Sequence, residues 1–468
     1  MKKLIAISCI LALMSCSSEE NNTSDPSTAA KGTTLEGKEN NGYTYEYVAG
    51  DPLETRIYTL DNGLKVYLSQ NKAKPRIMTL IPVKAGSTYD PKETTGLAHY
   101  LEHMMFKGTD RMGTIDFEKE KVLLNAISDK FEEHKNESDP AKKKAIYAQI
   151  DSLSYEASKF AVPNEYDKMI SSLGAKSTNA FTSHEQTVYM NNIPSTGLEK
   201  WLKLESERFS KLVLRLFHTE LETVYEEFNM GQDNDFRKVY AKMNEMLYPN
   251  HPYGTQTTIG EGEHLKNPSM VNIHAYHEKY YVPTNMAICL SGDLDYAQTI
   301  ALIDKYFGKF EKSEDLQHPE IGEPEPIKGA TEAEVFGPEA ESLTMAFRVG
   351  GNGSEDEKLA AITTGILSNN QAGLLDLDLV NQQKVLSASC YPNHLNHAGA
   401  IMFSAQNREG QTLEEVKDLL WEEIEKLKAG QFDDWLVQAV VNDYQLSKIR
   451  SYEGNNRVFE LLDAFTAN

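Results

Sequence analysis

At 468 residues the chain is long enough for more than one domain, and a hydrophobic content of 40% supplies ordinary cores and excludes general disorder. A net charge of −23 argues against nucleic acid and against an anionic membrane surface as partners. Only four cysteines are present, so this is no disulfide scaffold.

The N-terminus reads "MKKLIAISCILALMSCSSEE". Lys2 and Lys3 precede an apolar run from Leu4 to Met14 that is too short to span a bilayer, so residues 1–15 read as a signal peptide. Leu13-Met14-Ser15-Cys16 resembles a bacterial lipoprotein box. That resemblance implies acylation of the Cys16 thiol and a lipid anchor in the cell envelope, on the periplasmic or the surface side of the outer membrane. Residues 16–50 are rich in Ser, Asn, Thr, Glu and Gly and read as a flexible tether.

"TRIYTLDNGLKVYLSQN" (55–71) holds two alternating runs around Asn62-Gly63, the signature of a β-hairpin, and "RIMTLIPVKAG" (76–86) reads as a strand. "GLAHYLEHMMFKGT" (96–109) reads as a helix with Gly108 as its stop. Residues 115–165 are highly charged. Leu124, Ile127 and Phe131, then Ile146, Ile150, Leu153, Ala157 and Phe160, fall at helical spacing on either side of Ser138-Asp139-Pro140, so the segment reads as a helical hairpin. A structural insertion is its plain role; a lid or a docking surface is the functional one. Two strands are expected over 174–193, helices over 196–211 and 217–232, and a buried strand containing Cys289 over 285–294, followed by a helix near 296–308. An acidic, proline-bearing linker covers 311–330. Beyond it strands and helices recur in a similar order, as in a duplicated α+β unit. The expected domains are thus 51–310, carrying the chemistry, and 331–468, without it and incomplete.

On the 96–109 helix Leu97, Leu101 and Met104 share one face, and His99, Glu102, His103 and Phe106 share the other. Histidines four apart can hold one zinc ion, and Glu102 lies where it could take a proton from the attacking water. A third ligand is needed. In "FHTELETVYEEFNMGQ" (217–232) the apolar stripe is Phe217, Leu221, Val224 and Phe228. Glu220 and Glu227 flank that stripe, whereas Glu222 and Glu226 face solvent, so spacing alone leaves Glu220 and Glu227 as alternatives. The pairs His274/His277 and His394/His397 have no acid placed as Glu102 is and read as incidental.

His99-x-x-Glu102-His103 with "MMFKGT", "STNAFTSHEQTVY" (177–189), "ELETVYEE" (220–227) and "YYVPTNMAICLSGD" (280–293) together resemble the pitrilysin/insulinase family of inverted-motif zinc peptidases. The resemblance runs from about residue 53 to the C-terminus. It implies a pitrilysin-like α+β fold, mostly antiparallel sheet with helices packed on it, and zinc-dependent endopeptidase activity on peptides or unfolded segments. It implies Glu227 as third ligand, Glu220 as the acid that supports the site, and Asn179, Ala180, Phe181 and Thr182 as the edge strand that receives substrate.

Two departures stand out. The stretch from His103 to Glu227 is longer than is usual in that family, and the charged hairpin accounts for the excess. The segment "LVNQQKVLSASCY" (379–391) lacks the arginine that family members supply to hold the substrate carbonyl, and Tyr391 is not at the matching spacing. The chain therefore reads as the N-terminal part of a longer, two-halved peptidase whose second half lies in a missing C-terminal part or a partner chain. The alternative is a non-catalytic, zinc-bearing peptide-binding or assembly subunit of the same fold.

Overall fold

The computed structural model describes residues 31–313 and 316–467. The signal peptide and Cys16 lie outside these residues. Eleven strands occur among them: β1 (Thr34–Lys38), β2 (Thr44–Val48), β3 (Arg56–Thr59), β4 (Lys65–Gln70), β5 (Arg76–Val83), β6 (Lys176–Thr182), β7 (Thr187–Pro194), β8 (Ala287–Gly292), β9 (Ser342–Val349), β10 (Ser387–His394) and β11 (Gly399–Gln406). The helices of the first part are α1 (Leu97–Met104), α2 (Phe117–Asn136), α3 (Pro140–Ser158), α4 (Glu165–Ser172), α5 (Leu198–Ser210), α6 (Phe217–Gln232), α7 (Asp235–Leu247), α8 (Pro252–Thr255), α9 (Gly262–Leu265), α10 (Met270–Tyr280) and α11 (Tyr296–Phe307). Those of the second are α12 (Glu355–Leu367), α13 (Leu413–Lys428), α14 (Asp434–Ser451) and α15 (Val458–Thr466).

The first sheet has eight strands in the order β1-β2-β3-β4-β8-β5-β7-β6. All its pairs are antiparallel except β4 with β8. Its central strands are buried on both faces, which is why they read as nearly continuous apolar runs. Val66, Leu68, Ile77, Ile81, Ile288 and Leu290 point into the main core with α1, α5, α10 and α11. Tyr67, Met78, Leu80, Val188 and Cys289 point the other way. The second sheet, β10-β11-β9, packs on α12, α13 and α14. A smaller apolar cluster joins the two parts, with Leu247, Tyr248 and Tyr253 against Ala398, Ala400 and Met402.

Four sequence expectations need correction. Residues 34–48, expected in a tether, form the β1–β2 hairpin that extends the first sheet; Glu46 pairs with Ile57 of β3. Alternation of exposed and half-buried residues in "TLEGK" and "TYEYV" was masked by their polar composition. Helix α1 ends at Met104, not at Gly108. Met105, Phe106 and Lys107 continue as single tight turns, and Gly108 adopts φ +101° where a side chain would collide with the Met112 carbonyl. Helices α4, α7 and α10 were not anticipated. Finally, the C-terminal segment does not stay with the second sheet. Helix α15 lays Val458, Leu461, Leu462 and Phe465 on the outer face of the first sheet.

The hairpin of α2 and α3 buries Leu124, Ile127, Phe131, Ile146 and Ile150 in the main core, and the Phe131 ring meets the Phe217 ring of α6 at 5.0 Å. It buttresses the back of α6; none of its residues lines the cleft described next.

Candidate metal centre

Two anchors aim the site helices. Asp90 accepts hydrogen bonds from the backbone N–H groups of Gly96 (2.8 Å), Leu97 (3.2 Å) and Ala98 (2.9 Å), which satisfies the first donors of α1. Burial pushes this carboxyl up to about 8, against the pull of those three N–H groups. Gly96 takes φ +82° where a β-carbon would meet the Ile259 carbonyl, so only glycine fits there. The start of α6 is fixed by Arg215 and Leu216. Arg215, buried, donates to both oxygens of buried Glu120 (2.6 and 2.8 Å) and to the carbonyls of Lys107, Thr109 and Met112. Leu216 then sits at φ +55°, a conformation that L residues hold only when the surroundings impose it. The Tyr100 hydroxyl donates to the Phe217 carbonyl at 2.5 Å, tying α1 directly to α6.

With both helices so held, three donor atoms converge. His99 Nε2 lies 3.6 Å and His103 Nε2 3.7 Å from Glu227 Oε2. One ligand atom from each of the three residues lies within 4.8 Å of the others, the one such metal-capable grouping among the described residues. A tetrahedral zinc ion with arms of about 2.0–2.1 Å sets its ligands about 3.4 Å apart, so the set fits the ion. His103 Nδ1 shares a 2.7 Å hydrogen bond with Glu220, which leaves Nε2 to face the other two donors. Lys107 donates to the other oxygen of Glu220. His99 Nδ1, by contrast, is buried without a partner among the described residues.

Electrostatics follow from this packing. Burial lowers His99 to about 4, assisted by His103. Burial also pulls His103 down, but the Glu220 hydrogen bond and the carboxylates of Glu227, Glu220 and Glu102 outweigh it and hold the ring above its ordinary value. Glu220 is raised by burial and lowered more strongly by His103 and Lys107, so it stays ionised. Glu102 is 7% exposed; burial lifts it above the ordinary carboxylate range although the Thr182 hydroxyl donates to it at 2.6 Å.

These groups line a cleft of about 830 Å³. One wall is β6, at the edge of the sheet, so its outer main-chain groups have no strand partner. Asn179, Ala180, Phe181 and Thr182 all border the cleft. Their side chains differ in direction: Ala180 packs toward the main core, and the Phe181 ring packs against the cluster on the opposite face of the sheet. A bulge between Lys176 and Asn179, with Ser177 at φ +52°, marks where the strand enters.

The structure thus brings together His99, Glu102, His103, Glu220 and Glu227, with the Glu227 carboxylate facing both imidazoles and Glu220 facing only His103 Nδ1. His274, His277, His394 and His397 line no part of the cleft. Sequence reasoning missed Asp90, Arg215 and Lys107. Lys107 stands four residues after His103, a spacing that could have shown it on the same face; nothing local marks the other two.

The family model described as insulinase (peptidase family M16) matches residues 65–130 and 150–258, and the model for the peptidase M16 inactive domain matches residues 271–444. The chain belongs to the pitrilysin/insulinase (M16) peptidase family. The gap between the two matched stretches of the first model, 131–149, falls on the tip of the α2–α3 hairpin. Zinc protease PqqE of Helicobacter pylori is 24% identical over 405 residues, covering 85% of this chain and 79% of the relative. A crystal structure of a protease from Helicobacter pylori superposes with a TM-score of 0.72 at 21% identity, covering 88% of this chain and 89% of that one. The periplasmic protease PqqL of Escherichia coli gives 0.65 at 16% identity, with 89% of this chain on 43% of that one. These likenesses establish the M16 fold, in relatives of similar length and in one about twice as long.

Proposed function

We propose that the protein is a zinc-dependent endopeptidase acting on extended, flexible polypeptide segments. The observation that carries this reading is the convergence of His99, His103 and Glu227 with a buried Glu102 beside them and an open strand edge alongside. His99, His103 and Glu227 would hold the zinc ion, which when bound would supply Lewis acidity to the scissile carbonyl. Glu102, lifted by burial, takes the proton of the attacking water and passes it to the leaving amine. Thr182 holds one oxygen of Glu102 and leaves the other to work. The β6 edge receives substrate as an added strand through main-chain hydrogen bonds, which a folded substrate cannot offer.

The wider setting belongs to the same proposal. Acylation at Cys16 would anchor the chain in the bacterial envelope, in line with the periplasmic setting of PqqL. The greater length of PqqL supports a second peptidase half that closes over the cleft. One observation favours the alternative of a zinc-bearing binding or assembly subunit: the segment 379–391 has no arginine, and Tyr391 is packed in the cluster between the two parts rather than in the cleft. Zinc stoichiometry and cleavage of a quenched fluorescent peptide separate the two. Glu102→Gln should keep zinc and lose at least about 100-fold in kcat. Undiminished cleavage by the zinc-loaded variant removes Glu102 from its role; a zinc-loaded native chain that binds peptide and never cuts it supports the subunit reading.

A further inference from the structure

The cleft carries opposite charges at its two ends, and neither has a partner among the described residues. Helix α1 lines the cleft with His99, Glu102 and His103, and the turns after it add Phe106 and Lys107. At its C-terminal end the Phe106 ring packs on Tyr166 at 5.5 Å, and the neighbouring Asp167 lines the cleft. At its N-terminal end Gly96 abuts Ile259, and Ile259, Met230 and Arg237 line the cleft. Strand β6 runs the other way. Its Thr182 meets Glu102, and the following Ser183 and His184 carbonyls accept from Ser87 and Thr88, just before α1.

Arg237 stands on the first turn of α7, with Nη1 3.8 Å from where a β-carbon of Gly231 would lie. The guanidinium therefore rests over the last turn of α6, one turn beyond Glu227. It makes no ion pair with any described residue, whereas Lys107, the other cation of the cleft, is engaged by Glu220. The Asp167 carboxylate is likewise unpaired among the described residues. Two exposed charges of opposite sign, facing one groove beside an open strand edge, form a recognition element for a charged peptide.

We infer that the cleft selects its peptide by charge, with Arg237 binding an acidic side chain and Asp167 a basic one. Thr178 to Thr182 of β6 line the cleft between these charges, and a separation of four residues is taken for the test peptides. The inference rests on the proposal that β6 receives an extended peptide, and it adds the class of sequence preferred.

The test uses the full chain, zinc-loaded, and three labelled ten-residue peptides with a common uncharged core. One carries Glu and Lys four apart in one order, one the reverse order, and one Gln at both places. Binding is read by fluorescence anisotropy and cleavage by chromatography. One charged order should bind about 2- to 20-fold tighter than the Gln peptide, with the gain shrinking in high salt. Arg237→Glu should abolish the advantage of Glu and leave that of Lys; Asp167→Lys should do the converse. Equal affinity for all three peptides, or variants that shift all three by one factor, overturns the inference. Charge-selective binding without cleavage upholds it while refuting the peptidase reading; cleavage indifferent to charge does the reverse.

Discussion

Glu220 offers the sharpest test of how the protein tunes its site. Its Oε1 lies 2.7 Å from His103 Nδ1, and its other oxygen holds Lys107. Removing a carboxylate behind a ligating histidine typically costs 10- to 100-fold in metal affinity, or about 1.4–2.7 kcal/mol. Glu220→Ala should fall in that range. Glu220→Gln keeps an acceptor for the ring N–H and loses only the charge, so its loss should be smaller, about 3- to 10-fold. Lys107→Met should act with the opposite sign. It frees the full negative charge of Glu220 to act on the ring and should raise affinity a few-fold. Zinc affinity is measured by competition with a chromophoric chelator at fixed pH and salt, with urea denaturation of the metal-free proteins as a folding control. If Glu220→Ala binds zinc within a factor of two of the native chain, or Lys107→Met binds it more weakly, the electrostatic account of His103 is wrong.

Two further predictions concern the scaffold. Glu120→Ala strands the buried Arg215 charge and should cost about 3–5 kcal/mol in urea denaturation, while Glu120→Leu with Arg215→Met should recover only part of it, because the carbonyls of Lys107, Thr109 and Met112 lose their donor; a double variant no more stable than the single one would contradict that. His277 stacks on Tyr281 at 4.9 Å, and burial lowers its ring to about 4. The unfolded chain takes up a proton near pH 6.5 that the native ring refuses until about 4. Stability from this group is therefore complete above pH 6.5 and is lost as pH falls to about 4. The loss is at most about 3 kcal/mol, reduced by whatever water its edge retains. His277→Phe should flatten the urea midpoint across that window; parallel curves for the two proteins would exclude the effect.

Helix α6 was legible because its apolar stripe has a single period, and its bounds match the structure at both ends. The strands β5 and β8 were legible because burial on both faces forces apolar runs, and β4 from its alternation after the Asn62-Gly63 turn. Helix α7 was not, because Phe236, Tyr240 and Met243 look toward the rim and the second sheet rather than toward one continuous core. The β1–β2 hairpin was hidden for a related reason: an edge hairpin needs little burial, so its composition resembles a tether's. At the site, the face rule limited the third ligand to two glutamates. Choosing between them took the family resemblance, because the distance to both imidazoles depends on Leu216 and Arg215 and on no local pattern.

The return of α15 to the first sheet has a mechanical consequence. The second part is joined to the first by the chain between α11 and β9, by the short crossing between Ser451 and Val458, and by the apolar cluster of Leu247, Tyr248 and Tyr253 against Ala398, Ala400 and Met402. Any displacement of the second part must therefore open that cluster, and must either bend the crossing after Ser451 or peel α15 from the strands it covers.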